Sequence, residues 1–368
     1  MTDSQSQISD SSSVHRILDA SINRAGEGIR VVEDVVRMAL QDLHLSQKLK
    51  QLRHDLTQAV SAISLTHRIA ARDTVGDVGC TVQTETEYQR TSLSDSMGAM
   101  PDSGMVRANL SRTQQALRTI EEFSKLIDVD IAKRVEQIRY RSYTLEKAVL
   151  ATLVSSQTFE SSAVYVLING CGIESGDSAA LSNLVQNMID EKVDLIQLRD
   201  KSLTDKQMVT AGRLIADATR DSQTRFIMND RADLAVAANA DGVHLGQDDI
   251  RVADARRIVG TAGIIGVSTH SIEQAQQAVI DGANYIGVGP VFPSQTKSFK
   301  SHVGVELIRQ VAKDIKLPAF AIGGIHLENI ETITDAGLNR VAVSGAIVRT
   351  NDPSAAVRKL KNKLIHVN

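Results

Sequence analysis

Between residues 163 and 345 the chain carries eight short β-branched runs, each followed by an amphipathic stretch: AVYVLI (163–168), VDLIQLR (193–199), RFIMN (225–229), GVHLG (242–246), IIGVS (264–268), YIGVG (285–289), PAFAIGG (318–324) and RVAVSG (340–345). Continuous apolar runs of this length suit strands buried on both faces of a parallel sheet. Eight such strand-helix units in about two hundred residues predict an α/β fold closed into a (β/α)8 TIM barrel. An open doubly wound sheet is the structural alternative.

The preceding half follows a different period. From Val14 to Val154 it is helical, with no convincing strand. The clearest helix spans 16–40, where Leu18, Ile22, Ala25, Ile29, Val32 and Val36 form one stripe; others are predicted at 45–63, 107–127 and 130–154. The polar segment from Thr81 to Gly104 lacks an apolar period and reads as a long mobile loop. A chain of 368 residues exceeds what one core usually organises. The expected organisation is a disordered leader (1–13), a helical domain (14–154), the polar linker SSQTFESS (155–162) and the barrel (163–368).

Composition narrows the function classes. A net charge of -3, 3% aromatic residues and the absence of Trp argue against nucleic-acid binding, which draws on basic patches and stacking platforms. Cys80 and Cys171 are too few and too far apart for a disulfide framework or a zinc cluster, which fits a reducing compartment. The N-terminus lacks the basic start and apolar core of a signal peptide, and no run reaches membrane-spanning length. A cytoplasmic protein is expected, with a homo-oligomer left open.

Active sites of such barrels gather at the C-terminal ends of the strands. In order, those ends offer Gln197, Arg199, Asp200 and Lys201; Asn229, Asp230 and Arg231; Gln247, Asp248 and Asp249; Ser268, Thr269 and His270; the loop from Pro290 to Gly304; Gly323 and Gly324; and Ser344 with Gly345. Carboxylates on neighbouring strands, with no histidine or thiolate at ligand spacing, make a hard oxygen site suited to Mg2+. Lys201, Lys297 and Arg199 can hold phosphate oxygens, while the amides of Gln197 and Asn229 can read a heterocycle or a phosphate. Glycines after the last strands expose backbone N–H groups, a common phosphate seat. The ligand should be phosphorylated.

Each feature also has a plainer account. A lone Asp at a strand end is commonly a helix N-cap, and Asp248 fits that role before RVADARRIVG. Gly323-Gly324 can be a tight turn, His244 sits inside an apolar run as a packed strand residue, and His270 can cap the next helix. The joint occurrence at so many strand ends favours the functional account.

The series QLRDK (197–201), NDR (229–231), DGVHLGQDD (241–249), GVSTH (266–270), GPVFPSQTK (289–297) and AIGGI (321–325) resembles the thiamine-phosphate synthase family, in order and with near-family spacing from about Ala163 to the end. The resemblance implies a (β/α)8 transferase that joins 4-amino-2-methyl-5-pyrimidinylmethyl diphosphate to 4-methyl-5-(2-phosphoethyl)thiazole, releasing diphosphate. It further implies that Gln197, Leu198, Arg199, Asp200 and Lys201, with Asn229, Ser268 and Lys297, hold the pyrimidine diphosphate, and that Asp230 and Asp249 bind Mg2+. The thiazole phosphate falls to Ser294, Thr296, Gly324, Ser344 and Gly345, with Lys201, Ser268 and Lys297 as the catalytic set. Ser294 stands where the family usually has Thr, and Val-Ser-Gly at 343–345 replaces a more usual apolar-Ser pair. A related thiazole tautomerase shares the barrel but has lost much of the diphosphate set, which this chain keeps.

Within the helical half, 20-ASINRAGEGIRVVEDVVR-37 aligns with 108-ANLSRTQQALRTIEEFSK-125, pairing Arg24 with Arg112, Arg30 with Arg118 and Glu33 with Glu121. On the first copy Asn23, Glu27, Arg30, Asp34 and Arg37 share one face, opposite the apolar stripe. That face is either solvated and laced with ion pairs, or half of a phosphate-binding cleft about a pseudo-twofold axis. The NRAxEGxRVVED run and 49-LKQLRHDL-56 resemble the helical domain fused to some thiamine-phosphate synthases and associated with hydroxymethylpyrimidine-phosphate kinase activity. That resemblance implies ATP as a further ligand, although the chain has no GxxxxGK[ST] loop. A non-catalytic oligomerisation or regulatory module is the alternative.

Overall fold

The computed structural model describes residues 2–73, 75–77, 103–293 and 303–365, with side-chain surroundings from residue 12 to residue 364 within those stretches. It divides into two compact units, Met1–Leu150 and Ala151–Asn368. Among the described residues no helix is long and apolar enough to cross a membrane.

The first unit is built from α1 (Thr2–Asp34), α2 (Leu43–Ala59), α3 (Leu65–Ala70), α4 (Ser103–Ser124) and the part of α5 (Val129–Thr158) up to Leu150. α1 begins at Thr2 and so takes in the polar residues read from sequence as a disordered leader. Its C-terminal end passes into a π-helical turn, Val35–Leu40, closed by Gln41 at φ 58. The short α3 was not foreseen, and the loop expected from Thr81 falls outside the described residues until α4 opens at Ser103.

Packing in this unit follows the apolar stripes. Leu18, Ala25, Ile29, Val32 and Val36 of the first stripe are all buried, as are Val106, Leu110, Leu117 and Ile120 of α4. Gly28 lets α1 and α4 approach closely, because a Cβ there would lie 2.3 Å from Thr113 Oγ1 and 2.9 Å from the Asn109 carbonyl oxygen. Asn23, Glu27, Arg30 and Arg37 are exposed, with Arg37 paired to Asp34 at 3.0 Å, as expected of a solvated face.

The internal repeat shows instead in ion pairs formed by two buried glutamates. Glu33 of α1 accepts from Arg53 of α2 at 2.9 Å, and Glu121 of α4 accepts from Arg139 of α5 at 2.8 Å. Both arginines end a Gln-apolar-Arg triplet, Gln51-Leu52-Arg53 and Gln137-Ile138-Arg139.

The second unit is a closed barrel of eight parallel strands in sequential order, β1 (Val164–Ile168), β2 (Leu195–Leu198), β3 (Arg225–Asn229), β4 (Gly242–Leu245), β5 (Ile264–Thr269), β6 (Tyr285–Val288), β7 (Ala319–Ile322) and β8 (Val341–Val343). Every predicted run became a strand: RFIMN is kept whole, IIGVS runs on to Thr269, and the others lose one to three end residues, among them Gly246, Gly289, Pro318 and Gly345. Side chains alternate across each strand, so Tyr165, Leu195, Ile227, Tyr285, Phe320 and Ala342 point to one interior layer. The register sets Leu167 against Gln197, Gln197 against Ile227, Asn229 against His244, and Ser268 against Gly287. Gln197, His244 and Ser268 therefore belong above that layer, toward the C-terminal rim.

Residues 155–162 do not act as the expected linker. α5 continues to Thr158, and Phe159 is 2% exposed within the barrel core, its ring 5.7 Å from that of Tyr285 and 6.4 Å from that of Phe320. Arg340 then donates to the Phe159 carbonyl oxygen at 3.0 Å, holding the chain there. The polar composition of SSQTFESS hid one aromatic anchor, and that single side chain is enough to make the segment part of the core.

Candidate active site

Asp230 directly follows β3 and Asp249 lies just beyond β4, at the ends of adjacent strands on one rim. Asp230 adopts φ 60, a left-handed conformation that aspartate tolerates better than most residues. Its amide donates to the His244 carbonyl oxygen at 2.8 Å, fixing the bend against β4. Asp249 is folded back over the same strand end, where its Oδ2 accepts from the Gly246 amide at 2.6 Å.

Asp249 lies close enough to Asp230 to act on its protonation. Burial first, then the charge of Asp249, push the Asp230 carboxyl above the ordinary carboxylate range, against the opposing pull of the Asn229 side chain and the Arg199 charge. Such a pair is held in mutual repulsion that a divalent cation would relieve. The donors are all oxygen, and among the described residues no cluster of three or more His, Cys, Asp or Glu offers a dedicated cage. This suits Mg2+, which commonly takes one or two carboxylates and fills its remaining positions with water or substrate oxygens.

Beneath this pair runs a buried polar chain that strand-end inspection missed. The Gln197 Nε2 donates to the Tyr165 hydroxyl, which lies 2.9 Å from the Tyr285 hydroxyl. Tyr285 lies 3.0 Å from His244 Nδ1, and His244 Nε2 lies 2.9 Å from Ser268 Oγ. His244 is indeed packed within its strand, but both ring nitrogens are engaged. Burial lowers its pKa from 6.5 to about 4, with Arg199 adding to the effect and Asp249 opposing it, so the ring is neutral. Burial also raises both tyrosine hydroxyls well above their usual range, keeping them protonated. Gly266 makes the room: a Cβ there would sit 2.1 Å from Tyr285 Cζ. The available signal was parity, since Tyr165 and Tyr285 occupy inward positions in otherwise apolar strands.

The other sequence candidates fall into distinct settings. Gln197 is 2% exposed inside the barrel, whereas the adjacent Leu198 is buried on the opposite face of β2 and offers a ligand only its backbone. Arg199 stands close enough to Asp230 to act on its charge, and Lys201 is exposed at the rim. Asp200 organises its loop: its oxygens accept from the Ser202 amide at 2.8 Å, the Ser202 hydroxyl at 2.7 Å and the Gly170 amide at 3.0 Å. Burial raises the Asp200 carboxyl, but these donors outweigh it and leave the group below its usual range.

At the far side of the mouth, Gly323 and Gly324 have φ 100 and 65, and a Cβ on Gly324 would lie 2.3 Å from the Pro293 carbonyl oxygen. Glycine is required there by both dihedral and space. Ser344 precedes the short helix Gly345–Val348 and makes no side-chain cap. Ser294, Thr296 and Lys297, with most of the loop expected between Pro290 and Gly304, lie outside the described residues.

Two plainer accounts are corrected. Asp248 does not start the next helix, whose N-cap is Arg251 without a side-chain cap. His270 does not cap either: Ser271 is the N-cap of the helix Ile272–Asp281, while His270 Nδ1 meets the Gly289 carbonyl oxygen and so ties β5 to the end of β6. In both places the helix starts later than propensity suggested, because the βα turn consumes extra residues.

A closed parallel barrel with carboxylates, amides and a hydroxyl at the C-terminal ends of its strands has the layout of a (β/α)8 enzyme whose active site lies at that rim. Comparisons with known proteins specify it further. The thiamine monophosphate synthase family model matches residues 165–347, and the ThiD2 family model matches residues 16–148. A thiamine-phosphate synthase of Rhodopirellula baltica is 42% identical over 347 residues, covering 92% of this chain and 89% of that protein. One from Synechocystis sp. is 36% identical over 355 residues, covering 96% and 97%. The solved thiamine phosphate pyrophosphorylase from Pyrococcus furiosus shares 30% identity with a TM-score of 0.49, covering 56% of this chain and 96% of that one. The chain belongs to the thiamine-phosphate synthase family of transferases and carries a ThiD2-family domain at its N-terminal end.

Proposed function

We propose that the barrel couples 4-amino-2-methyl-5-pyrimidinylmethyl diphosphate to 4-methyl-5-(2-phosphoethyl)thiazole, yielding thiamine phosphate and diphosphate. The feature that carries this is the Asp230–Asp249 pair, two carboxyl groups at the C-terminal ends of the adjacent strands β3 and β4, on the rim toward which Gln197, Asn229 and Ser268 also lie. When bound by these carboxylates, Mg2+ would neutralise charge on the diphosphate leaving group.

The chain's own residues supply the rest. The chemical demand is to stabilise negative charge that builds on the diphosphate as the pyrimidine carbon becomes cationic. Arg199, Lys201 and Lys297 hold diphosphate oxygens by charge-assisted hydrogen bonds, and Ser268 donates to the same substrate. Gln197 and Asn229 orient the heterocycle through their amides. Gly324, Ser344 and Gly345, with Ser294 and Thr296, hold the thiazole phosphate. No general base is needed, because the thiazole nitrogen attacks through its own lone pair.

The helical domain phosphorylates hydroxymethylpyrimidine phosphate with ATP, forming the diphosphate that the barrel consumes; the ThiD2 match supports this. A cytoplasmic setting supplies both ATP and Mg2+. Incubating the full chain with both phosphorylated heterocycles and Mg2+ should produce thiamine phosphate, and no product would refute the coupling. Replacing the pyrimidine diphosphate by its monophosphate plus ATP tests the helical domain in the same vessel, where failure to form product would sink the kinase role alone.

A further inference from the structure

The buried chain beneath the mouth has a direction that follows from counting protons. The carboxamide nitrogen of Gln197, not its oxygen, faces the Tyr165 hydroxyl. Tyr165, accepting that bond, has one proton to give, and the Tyr285 hydroxyl stands 2.9 Å away. Tyr285 in turn has one proton to give, toward His244 Nδ1 at 3.0 Å. A neutral imidazole that accepts at Nδ1 carries its proton on Nε2, which faces Ser268 Oγ at 2.9 Å. Run in the opposite sense, Tyr165 would receive two donors and hold a third proton with no acceptor in the chain, an arrangement that is costly in a dry core.

Two groups are left over at the ends. Gln197 has committed its nitrogen downward, so its Oε1 remains as an acceptor. Ser268 has accepted from His244, so its own O–H remains as a donor.

We propose that Tyr165, Tyr285 and His244 are positioning residues that form a one-way hydrogen-bond relay, presenting Gln197 to the bound pyrimidine diphosphate as a fixed acceptor and Ser268 as a fixed donor. This rests on the coupling reaction proposed above for the identity of the substrate. The relay replaces two freely rotating polar groups by two with a defined sense, which lowers the ordering required when substrate binds. It also explains why a barrel core has two tyrosines and a histidine where leucine would fill the space without any polar requirement.

The direct test is the tautomer of His244 in the full chain, read from imidazole 15N shifts with histidine labelling and assignment by His244→Gln. The relay requires the Nε2–H form, with Nδ1 as the acceptor; a predominant Nδ1–H form overturns it. This readout needs no substrate, so it decides the relay even if coupling is absent, in which case the functional proposal alone fails. Kinetics supply the second test. Tyr285→Phe keeps the ring and removes the linking hydroxyl, and is expected to raise KM for the pyrimidine diphosphate by about tenfold while leaving kcat within about twofold, an effect the size of one hydrogen bond. Ser268→Ala should raise the same KM, and the double variant should add nothing further, because both act through one hydroxyl. An unchanged KM in folded Tyr285→Phe, or effects that multiply in the double variant, would overturn the proposal. Tyr165→Phe provides the same comparison should Tyr285→Phe fail to fold.

Discussion

The backbone amide of Asp230 donates to the carbonyl oxygen of His244 at 2.8 Å, and this bond holds a non-glycine residue at φ 60. One side chain thus serves the proposed metal site while its backbone is bent into a conformation that few residues accept. The substitution chosen to remove the carboxylate therefore matters. Asp230→Asn keeps a residue tolerant of left-handed geometry, and it should fold normally while losing coupling activity. Asp230→Ala should lose the same activity and in addition destabilise the barrel by about 1 kcal/mol relative to Asn. Urea unfolding of the two variants side by side checks this, and equal midpoints would contradict the strain argument.

Asp249 offers the opposite balance. Its charge raises the Asp230 carboxyl, so without metal the pair is destabilising. Asp249→Asn retains an oxygen to accept from Gly246 and removes the repulsion. In metal-free buffer it should unfold later than the parent, by on the order of 1 kcal/mol, yet lose the stabilisation that added Mg2+ confers. Thermal melts with and without Mg2+ read both effects. A variant less stable than the parent in the absence of metal would show that the carboxylates do not oppose each other.

His244 predicts a pH dependence of stability. Its folded-state pKa is depressed from 6.5 to about 4 by burial, so the unfolded chain takes up a proton before the folded one does. The contribution of the neutral ring is complete above about pH 6.5, declines as pH falls toward 4, and levels off below it, amounting to on the order of 3 kcal/mol. The stability gap between the parent and His244→Gln should narrow as pH is lowered through that window. Urea midpoints taken across it provide the measurement, and a constant gap would rule the linkage out.

The repeated Glu–Arg pairs of the helical unit should differ in cost. The Arg139 side chain is 10% exposed and that of Arg53 is 30% exposed. Glu121→Gln strands the more deeply buried cation and should destabilise this unit by roughly 3–5 kcal/mol, whereas Glu33→Gln should cost clearly less. Chemical denaturation of the full chain, followed by hydrogen exchange in α4 and α5, separates the two. Equal losses would mean that burial does not set the difference.

Much of the fold was legible because its information is periodic. Leu18, Ile29 and Val36 recur at helical spacing, and runs such as VDLIQLR mark doubly buried strands, so neither assignment needs knowledge of what is far away in sequence. The carboxylates at Asp230 and Asp249 were also legible, because a barrel converts the end of each strand into a place on one rim. Residues with no periodic signature were not. Phe159 sits in a polar segment that looks like a linker, and His244 sits in an apolar run that looks like ordinary packing. The repeat of the first half was visible in α1 and α4, but the pairing of its glutamates with Arg53 and Arg139 was not.

The sequence by itself determined the two architectures, the strand order of the rim and the chemical types gathered there, since those follow from patterning and from the geometry common to every such barrel. Tertiary structure alone decided which of those groups touch. Whether Asp230 and Asp249 repel each other, whether Gln197 turns its nitrogen or its oxygen inward, and whether Tyr165, Tyr285, His244 and Ser268 join into one chain all depend on barrel closure bringing β1, β2, β4, β5 and β6 together across the axis. Residues 120 positions apart, such as Tyr165 and Tyr285, share a hydrogen bond only because the sheet closes on itself. Local propensity carries no information about that contact.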